Sequence, residues 1–134
     1  MPKLRTEGFT GAGDFRWLRS DHAIWNGRTE SLDVSAFTAG THYPNGYIPS
    51  STPCALVGGQ LVPYDSTEAT TTGAGVLAGH LLTDQPIVAG STEDINVPLL
   101  DHGRVNPARV AVGVQAFTAP VAAAKRAATT IVYR

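Results

Sequence analysis

Two short apolar runs separated by a pair of glycines constrain this chain more than any other feature. Cys54-Ala55-Leu56-Val57 and Gln60-Leu61-Val62-Pro63-Tyr64 flank Gly58-Gly59. A two-residue link between strands takes a turn with positive φ, which glycine adopts without steric cost, and its twist matches that of the strands it joins. The segment therefore reads as a β-hairpin. Pro63 has no amide proton to give to a ladder, so the second strand is expected to be an edge there.

The rest of the chain offers more strands than helices. Leu32, Val34 and Ala36 alternate with Ser31, Asp33 and Ser35, the two-residue period of a half-buried strand over 31–37. Residues 38–53 are turn-rich, with Gly40, Pro44-Asn45-Gly46, Pro49 and Pro53. A polar loop over 65–72 leads to an apolar run over 75–83, where Gly75 and Gly79 favour a strand over a helix. Strands are also expected over 95–100, 109–114 and 129–133. Pro120 followed by an alanine-rich stretch predicts one short C-terminal helix of two to three turns. The fold class is mainly β: a small β-barrel-like domain with that helix and an extended N-terminal arm.

Residues 1–30 differ from the remainder. Gly8, Gly11, Gly13 and Gly27 break any periodicity, yet Phe9, Phe15, Trp17 and Trp25 supply four of the ten aromatics. Unstructured linkers are poor in aromatics, so this segment is expected to order against something. In Asp14-Phe15-Arg16-Trp17 charged and large apolar residues alternate, so an extended arm would set Phe15 and Trp17 on one face. The chain is divided accordingly into an arm (1–30) and a β-rich domain (31–134), with Phe9, Phe15, Trp17 and Trp25 as arm anchors.

Charged residues make up only 16% of the chain, short of the ~25% usual for soluble domains. A surface so poor in charge is either rich in hydroxyl groups or covered by partners. The charges present are segregated. Residues 34–103 hold six acids and no Lys or Arg, whereas residues 104–134 hold five basic groups and no acid. Such asymmetry permits pairing within the chain or between copies. No basic stripe with interleaved aromatics suggests nucleic-acid binding. No run approaches the ~18 apolar residues of a membrane span, and the N-terminal residues lack the apolar core of a signal peptide, so synthesis in the cytoplasm is expected. Cys54, the single cysteine, is expected to be buried as a small hydrophobe.

Chemistry-bearing patterns are weak. Gly73-Ala-Gly75-Val-Leu-Ala-Gly79 is one residue too long for a dinucleotide fingerprint. The pairs Asp21-His22 and Asp101-His102 have no serine at a nucleophile elbow to serve. The four histidines show no metal-ligand spacing, and His80, inside an apolar run, reads as a hydrogen-bonded core residue. No enzyme activity, metal or cofactor is expected.

From Ile48 to Val110 the order of phrases resembles the head decoration proteins of lambda-type tailed phages. The matching phrases are Pro53 and Ala55 to Val57, Gly58-Gly59, Leu61 to Asp65, the Thr-rich loop Ser66 to Thr72, and Gly75 to Ala78. Asp94-Ile-Asn-Val-Pro-Leu-Leu-Asp-His-Gly-Arg-Val105 looks like the variant of actinobacterial siphophages. The resemblance covers roughly residues 31–134 and rests on strand and turn order. It implies a β-tulip-like domain that trimerises at three-fold and quasi-three-fold positions on the outer surface of the head. Its partners would be the major capsid protein, to which an arm adds a strand, and other copies of itself, with no cofactor. The virion is then the expected location. The alternative from another class is a phage tail or adaptor protein, or a surface carbohydrate-binding module using Trp17 and Trp25.

Overall fold

The computed structural model describes residues 15–19, 27–67, 72–110, 117–120 and 129–133. The protein is mainly β, built around a closed five-stranded barrel. Nine strands follow one another: β1 (Arg28–Leu32), β2 (Tyr47–Ile48), β3 (Pro53–Val57), β4 (Gln60–Pro63), β5 (Leu77–Leu81), β6 (Gln85–Pro86), β7 (Ile95–Leu100), β8 (His102–Val105) and β9 (Thr130–Tyr133). The barrel order is β1-β4-β3-β5-β7, while β2 pairs with β6 and β8 with β9 in two small sheets.

The hairpin read from the glycine pair is present. β3 and β4 pair antiparallel from Val57↔Gln60 to Cys54↔Pro63, and Gly58 and Gly59 turn at φ +61° and +85°. β4 meets β1 at the single parallel pair Leu32↔Leu61, which closes the barrel. That contact does not reach Pro63, whose missing amide proton therefore costs no ladder bond on the β1 side. β1 pairs along its whole length with β7, from Arg28↔Leu99 to Leu32↔Ile95. β3 and β5 carry a register shift between Cys54 and Ala55, so that Gly79 and Leu77 oppose consecutive residues and Ala78 is the extra one. This bulge changes the parity of β5. Ala78 and Leu81 enter the barrel core with Leu32, Cys54, Leu61, Val97 and Leu99, while His80 faces outward into a second layer. Gly79 is required where β5 crosses β7: a Cβ there would lie 2.5 Å from the Leu100 carbonyl oxygen and 2.9 Å from Leu99 Cγ.

Three expectations need correction. The strand expected over 31–37 ends at Leu32, and Val34–Ala36 is a 3-10 turn. The Asp33 side chain accepts the Ser35 amide (3.1 Å) and hydroxyl (2.5 Å), a local cap that competes with the ladder. Arg109, expected to begin a strand, closes a 3-10 turn that starts at Pro107 and is capped by Asn106. The boundary expected at residue 30 falls inside β1, so the barrel includes residues from Arg28 onward. The expected C-terminal helix beyond Pro120 and the strand expected beyond Val110 lie outside the described residues. The one short helix described, α1 (Ala39–His42), falls in the turn-rich stretch, where His42 Nδ1 accepts the Thr38 amide at 2.9 Å.

Candidate functional site

The feature that joins the most distant parts of the chain is an aromatic layer on the outside of the barrel. Trp17, Leu82, Leu100, Val105 and Val110 form its buried core, with Leu18, Phe117, Ile131 and Tyr133 packed against them. β7 supplies both layers, because Leu99 and Leu100 point to opposite faces of one strand. Rings meet around His80: Trp17 at 5.8 Å, Phe117 at 5.3 Å and Tyr133 at 5.8 Å between centroids. Such spacings suit tilted and edge-to-face contacts.

His80 is fully buried and held from both sides. Its Nδ1 lies 2.9 Å from the Ser51 carbonyl, which only accepts, so Nδ1–H donates. Nε2 is then the acceptor, and the Tyr133 hydroxyl donates to it at 2.7 Å. Burial lowers the His80 pKa to about 4, partly offset by the bond to Ser51. Burial also pushes the Tyr133 phenol up, with a smaller contribution from Tyr64. Ser51 offers its carbonyl by adopting φ +77°, uncommon for a side chain-bearing residue. The strained segment is held by Ser51 N–H to Leu81 O (2.7 Å), Leu81 N–H to Thr52 O (3.1 Å) and Ser50 N–H to Asp84 Oδ1 (2.7 Å). The core-histidine expectation for His80 is met. The arrangement is a structural relay; among the described residues no nucleophile or carboxylate is seen hydrogen-bonded to the ring.

Trp17 overturns the expected geometry of the arm. It is 1% exposed and part of its own domain's core. Leu18 N–H donates to Phe15 O at 3.0 Å, closing a turn, so Phe15 and Trp17 do not share the face of an extended strand. Phe15 is 37% exposed at the rim. The segment is fastened by Asn106 N–H to Trp17 O (2.7 Å), Arg19 N–H to Arg104 O (3.0 Å) and the Leu18↔Val105 bridge. Trp17 Nε1 is buried without a hydrogen-bond partner. A tryptophan so enclosed cannot form an open sugar platform. Phe9 and Trp25 lie outside the described residues, as does the pair Asp21-His22.

The other sequence candidates are drawn into structural roles. Asp101 pairs with Arg28 at 3.2 Å and His102 Nδ1 lies 2.8 Å from Thr130 Oγ1, so these chain neighbours serve different contacts. Cys54 is fully buried and its thiol pKa is raised by burial. Among the described residues no group of His, Cys, Asp and Glu is arranged to hold a metal. An open groove of about 510 Å³ runs beside β4, lined by His42, Val62, Pro63, Tyr64, Asp65 and Ser66 among others. Its polar groups are engaged locally: His42 in the α1 cap, and Asp65 with the Thr67 amide and hydroxyl.

Two outward faces complete the picture. On β8 and β9, Gly103, Val105, Ile131 and Tyr133 face inward, while His102, Arg104, Thr130 and Val132 face out. On β2 and β6, Ile48 enters the barrel core, while its neighbour Tyr47 and Tyr47's partner Pro86 are exposed. Alternation along 129–133 was a legible signal for the first; nothing in the sequence paired 102–105 with it. Comparison of the chain with protein families, curated proteins and solved structures finds no match.

Proposed function

We propose that this protein is a non-enzymatic decoration protein of a tailed-phage head, binding the outer capsid surface as a trimer and stabilising the shell. The observation that carries the reading is the agreement of the resembling phrases with the observed elements. Pro53–Val57, the Gly58-Gly59 turn, Gln60–Pro63 and Leu77–Leu81 form three consecutive barrel strands in the order the resemblance implies. The engagement of His80, Asp101, His102, Asp65 and Cys54 in internal contacts is compatible with a binding role.

The burial of Trp17 changes how an arm would work. Trp17 seats the proximal segment on the domain, and shell contact falls to the residues before it, with Phe15 at the rim. Strand addition suits such a segment, because main-chain bonds carry affinity and aromatics fill pockets between them. Three arms on one trimer would act together through effective concentration.

The test is to mix the protein with undecorated heads of the phage that encodes it and to image the particles. Density at three-fold and quasi-three-fold positions is expected, and removal of residues 1–14 should abolish it while the remaining chain keeps its melting temperature. Heads that stay bare with the full-length protein would refute the reading.

A further inference from the structure

We infer that copies of this chain associate head to tail, the outer face of the β2–β6 pair on one copy docking against the outer face of the β8–β9 sheet on the next. This deepens the decoration reading by naming the surfaces through which copies meet.

The first face is apolar with an acidic rim. Tyr47 and Pro86 are cross-strand partners and both are exposed, Tyr47 by 36%. The pairing continues through Ile87 N–H to Gly46 O at 2.9 Å, which returns Val88 to the side of Pro86. Val88 is 75% exposed, the most exposed large apolar residue described. Asp84 precedes β6 and Glu93 and Asp94 follow in its exit loop, within a stretch of seventy residues that has no Lys or Arg. Glu93 is exposed.

The second face is apolar with a basic rim. Register places Arg104 opposite Val132, and the Leu18↔Val105 bridge sets Arg19 beside Arg104 on the same face. Val132 is 44% exposed. Arg104 and Arg109 are exposed, and among the described residues neither is in an ion pair. Each face thus has an apolar centre and a charged margin, and the margins have opposite sign, the usual layout of a specific interface. The two faces lie over different hydrophobic clusters, so they are separate surfaces. A contact between unlike faces propagates, closing into a ring or running on as an open chain.

Sedimentation velocity on the full-length protein tests this. The wild type should self-associate at micromolar concentration, less so at about 0.5 M salt, where charges are screened within a few Å. Arg104→Glu and Glu93→Arg should each weaken association about tenfold or more, since like charges then face each other. Both changes in one chain should restore it to within about threefold, because every contact regains opposite charges. Val88→Asp should abolish association without altering the melting temperature, as its side chain is exposed. A wild type that stays monomeric to about 100 μM, or association indifferent to both single reversals, would overturn the inference, as would a double variant no better than the singles. Head binding separates the two readings: self-association through these faces with bare heads leaves this inference standing and removes the decoration reading.

Discussion

The barrel core and the aromatic layer outside it are built from different materials. The barrel interior is aliphatic, with Leu32, Leu61, Leu81, Val97 and Leu99 and no buried polar network of its own. Its strands come from one nearly continuous stretch, residues 28–100. The outer layer is aromatic, contains a buried histidine and an unpartnered indole N–H, and draws on residues 17, 80, 117 and 133. The first gains stability from dispersion and burial with little geometric demand. The second depends on hydrogen-bond directions, so it fails piece by piece. The comparison teaches that the barrel is the fold, and that the outer layer is a joint seating distant chain segments upon it.

The largest effect is expected inside the barrel. Leu99→Ala should cost about 3–5 kcal/mol, the usual range for a fully buried leucine, and should lower hydrogen-exchange protection in β1, β3, β5 and β7 alike. Trp17→Ala removes more volume, but it also removes a buried N–H that is desolvated without return. A loss of about 2–3 kcal/mol is expected, the ~3–5 kcal/mol of a buried tryptophan less that relief. Protection should fall at 15–19, 102–105 and 129–133 while the barrel amides keep theirs. Equal loss across both regions would merge the joint with the fold.

Acid should act mainly through the joint. The fold favours neutral His80, with its pKa lowered from 6.5 to about 4, so the unfolded chain takes up the proton first. Stability is full above about pH 6.5, falls as pH drops toward 4, and changes no further on this account below that. The slope is at most about 1.4 kcal/mol per pH unit, and the window totals about 2–3 kcal/mol. His42, lowered chiefly by burial and opposed by its bond to Thr38, contributes with the same sign. Denaturant melts between pH 4 and 7 measure this, and His80→Gln should flatten most of the slope.

Tyr133→Phe is smaller. It removes the donor to His80 Nε2 and leaves a buried acceptor unmatched, for about 1–2 kcal/mol. Its effect should vanish in a His80→Gln background if the two act as one relay. Least visible is Cys54, inside the barrel core with a raised thiol pKa. Native-state labelling by a thiol reagent should proceed only at the global unfolding rate, and faster labelling would show that the barrel opens locally.

Legibility in the sequence followed the range of the interaction. The Gly58-Gly59 hairpin, the β5 and β7 runs and the 129–133 strand were readable because alternation and turn chemistry act over a few residues. Asp33 was misread as part of a strand because its competing bond to Ser35 is equally local and the period-2 pattern masked it. Trp17 was misread as a reaching anchor because an aromatic in a glycine-punctuated segment looks the same whether it docks on its own domain or on another surface. The relay through Ser51, His80 and Tyr133 had only one signal, a lone histidine in an apolar run, which predicted burial without naming partners.

By itself the sequence determined a mainly β chain with a tight hairpin, a buried thiol and histidine, and an acidic middle set against a basic end. Each follows from neighbour chemistry: glycine at positive φ, side-chain alternation, and charge counts along the chain. Only the tertiary structure decided that β1 closes the barrel through one parallel contact with β4, and that Ala78 bulges so that His80 faces outward. It also decided that Trp17 and Tyr133 meet around that histidine from 116 positions apart in the chain. Those outcomes rest on long-range register and on which face each strand turns to the core, which a period of two leaves open until the strands have paired.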